Sequence, residues 1–227
     1  MPAADKLPAF ATLHGTILAV SWLLATSVAL YAYAAAPMAI DGAAALETMA
    51  ALRRAWPWYT LCYALFLITD CAIALLGVLL MAWLAPQGGY RAWAMVVLFA
   101  LAGVLGLVMD VTMLTAAQLF RSPSLLGDAA AIAVVLGWLN ATTAWFSAAS
   151  FALSGGASLL VAPLATDIGV GRRWIAFTRV LAVYQLLVSA IITLATLTAA
   201  PMLGWLAVIF GVVGTPILVS LWLVGLM

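Results

Sequence analysis

Charge is what this 227-residue chain has least of: 7% of its residues are Asp, Glu, Lys or Arg, eight basic against seven acidic. With a net charge of +1 and no basic run longer than Arg53-Arg54 or Arg172-Arg173, nothing points to nucleic acid or to an acidic partner. Histidine occurs once, at His14, which excludes a His-rich metal site and bis-histidine haem ligation within the chain. The sequence therefore indicates no metal and names no cofactor, and His14 reads as a hydrogen-bonded residue near one membrane interface. Cys62 and Cys71 lie on one expected helix, where about 100° per residue puts them on opposite faces, so they cannot bridge each other. Neither an HExxH nor a GxSxG motif is present, so the chain lacks the equipment of a membrane hydrolase.

What the chain has is apolar surface, with 68% hydrophobic residues and a mean hydropathy of +1.26. Its apolar residues run continuously instead of alternating with polar ones, which excludes an outer-membrane barrel and identifies an all-α, polytopic transmembrane helical bundle. About 20 residues cross the hydrocarbon core. By that measure six spans fit, over 11–36, 58–85, 92–120, 129–162, 174–199 and 202–226, in a single membrane domain covering 1–227. The first is too long for a signal-peptide core of about 7 to 15 residues and reads as a retained helix. Between it and the second, Asp41, Glu47, Arg53 and Arg54 alternate with Ala45, Met49 and Leu52, which predicts an interfacial amphipathic helix after the first span. Pro37 is expected to end the first span and Pro163 the fourth, with Ser154-Gly155-Gly156 kinking the latter. A very tight turn is expected at Ala200-Pro201, and Gly211, Gly214 and Pro216 predict a bend within the sixth span. Lys6, Arg91, Arg172 and Arg173 fall on one side against Arg53, Arg54 and Arg121 on the other, which places both termini in the cytoplasm and the chain in the inner (plasma) membrane.

Two spans carry a carboxylate well inside, Asp70 and Asp110. An acid at the centre of a membrane helix costs about 2.5 to 3.5 kcal/mol on insertion scales, so each is expected to face protein or water. Counted from the expected helix ends, Asp70, Asp110 and Asn140 agree in depth within about 3 Å, with Gln185 somewhat deeper. Small residues share the acids' faces, Ala74 and Gly77 with Tyr63 and Asp70, and Ala102, Gly103 and Gly106 with Asp110. A buried polar layer of Asp70, Asp110, Asn140, Gln185 and Tyr63 is therefore expected in the bundle interior. In one reading its members hydrogen-bond each other and fix helix register. In the other, two carboxyls in a low-dielectric site titrate as a coupled pair and form a proton or cation site.

The segment from Ala64 to Pro86, with Asp70 at its centre, resembles one in a broad group of bacterial six-pass integral membrane proteins that carry a domain of unknown function. The closing Gly214-Thr215-Pro216 to Trp222 and Gly225 is similar to their Pro-containing last helix. The resemblance implies topology and no particular activity. One acid on each of two adjacent helices also resembles the intramembrane aspartyl proteases, but the presenilin-like pattern Tyr-Asp with Gly-x-Gly-Asp is replaced here by Thr69-Asp70 and Met109-Asp110. The leading expectation is a non-enzymatic binding or accessory module with no catalytic residues, in contact with the bilayer and with partner membrane subunits or a hydrophobic ligand. The alternatives are a small proton- or cation-coupled transporter using Asp70 and Asp110 and, more distantly, an intramembrane aspartyl enzyme.

Overall fold

The computed structural model describes residues 9–35, 45–86, 88–119 and 129–225. Every regular element among them is helical: α1 (Ala9–Ala35), α2 (Ala45–Leu84), α3 (Tyr90–Leu119), α4 (Ala129–Asp167), α5 (Arg172–Thr198), α6 (Pro201–Ala207), a π-helical segment (Val208–Gly214) and α7 (Thr215–Val224). Six stretches are long and apolar enough to cross a membrane, the last made of α6, the π segment and α7 together. Helix is the form these sequences must take there, because hydrocarbon offers no partner to an unpaired backbone N–H or C=O. The protein is an integral membrane protein with a helical bundle.

Two boundaries differ from expectation. The backbone from Ala45 is not a separate interfacial helix but the opening turns of the 40-residue α2, which passes through Pro57. At 1.5 Å per residue α2 is about 60 Å long, twice the hydrocarbon thickness, so Arg53 and Arg54 leave the hydrocarbon by lying near the end of one long helix. Pro57 removes only one N–H, and near the interface water can serve the carbonyl it deprives. The side chains of Ala45, Met49 and Leu52 and the whole of 36–44, with Pro37 and Asp41, lie outside the described residues, as do Arg121 and Asp128. Pro163, likewise, does not end α4 but lies inside it. The true stop is Gly169, whose φ of 75° lets the Gly169 N–H reach Thr166 O (3.1 Å) and the Val170 N–H reach Ala165 O (3.0 Å). These two bonds form a Schellman cap, for which a left-handed glycine is the favoured residue.

The other turns follow their sequences. Gly88 and Gly89, both at positive φ, reverse the chain between α2 and α3. Between α5 and α6 the reversal takes two residues, Ala199 in the left-handed region at φ 50° and Ala200, with Pro201 opening α6.

The core is continuous at one end and divided at the other. Toward the end that holds Arg91 and Arg172, one cluster joins Leu18, Ile73, Leu80, Met95, Phe99, Val161, Trp174, Leu181 and Trp222, drawn from α1 to α5 and α7. Toward the opposite end two clusters stand apart. Ala32, Tyr59, Tyr63, Met113, Ile132, Leu136 and Leu139 tie α1 to α4, whereas Ala148, Val188 and Ile192, with Ala207 against them, tie α4, α5 and α6.

Candidate functional site

Small residues bring α2 and α3 into backbone contact. A Cβ at Gly77 would lie 2.8 Å from Val96 Cα, and one at Gly103 would lie 2.5 Å from both Ala74 N and Asp70 O. Gly106 completes the row, and the space its missing side chain leaves is filled by the Asp70 carboxyl itself. Asp110 stands one turn beyond Gly106 on the same α3 face, and its carboxyl meets that of Asp70 within hydrogen-bonding reach. The helix spacing read from the sequence therefore does bring the two acids together.

Their surroundings are unequal. Asp110 is 0% exposed, and neither of its oxygens receives a hydrogen bond from an N–H or hydroxyl of the described residues. Its polar neighbour is the other carboxyl, and that contact is a hydrogen bond only when one of the two carries a proton. Asp70 is partly exposed. Two bare carboxylates in such contact would repel each other. A proton shared between them would remove the repulsion and turn the contact into a hydrogen bond.

The rest of the expected layer is elsewhere. Thr143 and Ser147 of α4 donate to the sulfurs of Met113 (3.4 Å) and Met109 (3.2 Å). That register sets Asn140 level with Ala116, six residues or about 9 Å along the axis from Asp110. Gln185 is buried and accepts from Ser158 at 3.2 Å, roughly 15 Å from Asp110 toward the Arg91 end by the same helical rise. Tyr63 stacks on Tyr59 with centroids 6.5 Å apart and belongs to the opposite-end cluster, two turns from Asp70. No hydrogen bond joins Asn140 or Gln185 to either acid among the described residues. Counting from helix ends misaligned these groups because the helices begin at different heights.

Other side chains near the acids secure α1 to α2. The hydroxyls of Ser21 and Thr69 share a hydrogen bond of 2.9 Å, and His14 Nε2 donates to Ala72 O at 2.8 Å, the bland role expected of the single histidine. Thr69 and Ala72 thus face α1 while Asp70 between them faces α3. The signal for the Ser21 contact was a hydroxyl at the same helical spacing as His14 and Ala25, a polar position on an otherwise apolar face. Cys62 is buried and Cys71 exposed, on opposite faces as the spacing required. Among the described residues no group of three or more His, Cys, Asp or Glu could hold a metal ion. Comparison of the chain with protein-family models, with curated proteins and with solved structures finds no match.

Proposed function

We propose that this protein is a small proton-coupled transporter or permeation protein in which Asp70 and Asp110 bind and release a proton together. The observation that supports this most is the enclosed Asp110 carboxyl, whose polar contact is another acid and not a donor. A layer that served only to fix helix register would give its acids permanent donors, as Ser158 serves Gln185 and Ser21 serves Thr69. Here the α4 hydroxyls of Thr143, Ser147 and Ser150 go instead to methionine sulfurs and to the Ala102 carbonyl. Asp70, the less enclosed of the two, is the member that would exchange its proton first, with Asp110 behind it. The pair lies where the single core gives way to two. In the sequence Lys6, Arg91, Arg172 and Arg173 outnumber Arg53, Arg54 and Arg121 by four to three, which supports a plasma-membrane location with both termini in the cytoplasm.

The reading is tested by infrared difference spectroscopy of the protein in lipid vesicles, stepped from mildly acidic to mildly alkaline buffer. A protonated-carboxyl C=O band that disappears on the alkaline side, and is missing from both Asp70→Asn and Asp110→Asn, is the expected result. A band that stays constant across the range would mean a permanently protonated clasp, and the proton-coupled reading would be abandoned for the accessory-module one.

A further inference from the structure

The last span is not one helix. Its α6 part packs on α5, with Ala207 against the Ala148, Val188 and Ile192 cluster, while Met202 and Trp205 stand 75% and 70% exposed. Its α7 part is built into the shared core at the Arg91 end through Val219, Trp222 and Leu223. Trp222 Nε1 donates to Thr178 Oγ1 at 2.8 Å, and its ring stacks on Trp174. Two rigid pieces thus belong to two different cores, and the seven-residue π segment Val208–Gly214 joins them.

A π turn is rare within α-helices and is frequently found at functional sites. Here hydroxyls from three helices hold it. Pro216 has no N–H for the carbonyl four residues before it, and Thr26 of α1 supplies the missing donor to that carbonyl, Val212 O, at 3.1 Å. Phe210 O, which takes the Thr215 N–H in the wide π bond, also accepts from Tyr184 of α5 at 2.8 Å and from Thr215 Oγ1 at 3.1 Å. Gly214 leaves the room that the Tyr184 hydroxyl occupies, and Gly211 packs closely on Val188 and Phe151. Beside the Thr215 backbone N–H, each of these bonds comes from a neutral hydroxyl.

We propose that Val208–Gly214 is a hinge, latched in its π form by Thr26 and Tyr184, about which the α6 half of the last span changes register against the fixed α7 half. Conversion to α geometry removes one residue from the turn, rotating α6 by about 100° and sliding it by about 1.5 Å. Thr215 N–H then passes from Phe210 O to Gly211 O, and the Tyr184 hydroxyl is released. None of these groups is acidic, so the hinge stands or falls independently of the carboxyl pair.

The test is a spin-label distance in lipid nanodiscs between Met202→Cys on α6 and Val134→Cys on α4, in a background lacking Cys62 and Cys71. A label about 5 Å from the helix axis moves by about 8 Å in such a rotation. Tyr184→Phe removes one latch while keeping the ring, and Pro216→Ala restores an N–H that competes with Thr26 for Val212 O. Each is expected to populate a second distance displaced by about that amount, with faster amide exchange across 208–215 in Tyr184→Phe. Pro216→Ala trims the buried Pro216 ring but leaves Val219, Trp222 and Leu223 in place, and it decides the matter alone if Tyr184→Phe does not fold. A single distance equal to that of the parent in every folded variant overturns the hinge.

Discussion

Adding one methyl group to α3 should reveal where the Asp70 carboxyl lies. In Gly106→Ala the new Cβ occupies the volume now filled by that carboxyl, so either the acid leaves Asp110 or the helices part. Overpacking of this kind costs about 1 to 3 kcal/mol. On an Asp70→Ala background the obstacle is gone, and the same substitution should be neutral or favourable by up to about 1 kcal/mol, because alanine is the better helix former. The expected coupling is therefore about 2 kcal/mol in a double-mutant cycle, well above the 0.3 to 0.5 kcal/mol scatter of independent sites. Gly103→Ala is the control. Its Cβ would meet the backbone atoms Ala74 N and Asp70 O at 2.5 Å, so it should destabilise equally with or without the Asp70 side chain. Reversible unfolding in mixed lipid and dodecyl sulfate micelles, followed by tryptophan fluorescence, measures all six proteins. Additive costs for Gly106→Ala and Asp70→Ala would refute the placement of the carboxyl over Gly106, and the proposed proton pair with it.

Ala199 holds a left-handed conformation that costs an L-residue about 1 to 2 kcal/mol, so Ala199→Gly should raise stability by about 1 kcal/mol in the same assay. Gly169→Ala should lower it by a similar amount and loosen the α4 end, seen as faster exchange of the Gly169 and Val170 amides. Trp222→Phe keeps an aromatic ring against Trp174 but loses the donor to Thr178, which should cost about 0.5 to 1.5 kcal/mol for the bond beyond any loss of packing. Thr178→Val tests the same bond from its other end, and the two costs should be less than additive.

The six spans were legible because bilayer thickness and hydropathy act over some twenty residues at once, and local detail averages out. The row of Ala102, Gly103, Gly106 and Asp110 was legible for a related reason, since helical periodicity alone assigns a face and all four are buried together. Axial position was not. Counting from helix ends puts Asn140 level with the acids and Gln185 somewhat deeper, yet α2 begins at Ala45 and α4 runs to Asp167, so the ends are no common datum. Register is set by contacts such as Ser147 on Met109, which sequence spacing does not encode. The end of α4 illustrates a different difficulty. Pro163 looked like the terminator because it lacks an N–H, but a helix already in place loses one bond there, whereas at Gly169 the backbone itself turns left-handed. For the sixth span, Gly211, Gly214 and Pro216 marked a weak point, but its partners Thr26 and Tyr184 come from distant parts of the chain.

The divided core also bears on how the chain is made. Helices α1 to α4 bury Tyr59, Tyr63, Met113 and Leu136 among themselves without any residue from the last third of the sequence. A nascent chain leaving the translocon can therefore settle those four helices into the lipid while α5 is still being synthesised. Closure of the other end must wait, because Trp174 and Trp222 follow those four helices in the chain and fill its centre. Residues of α5 and α7 thus complete a core that the first four helices leave open.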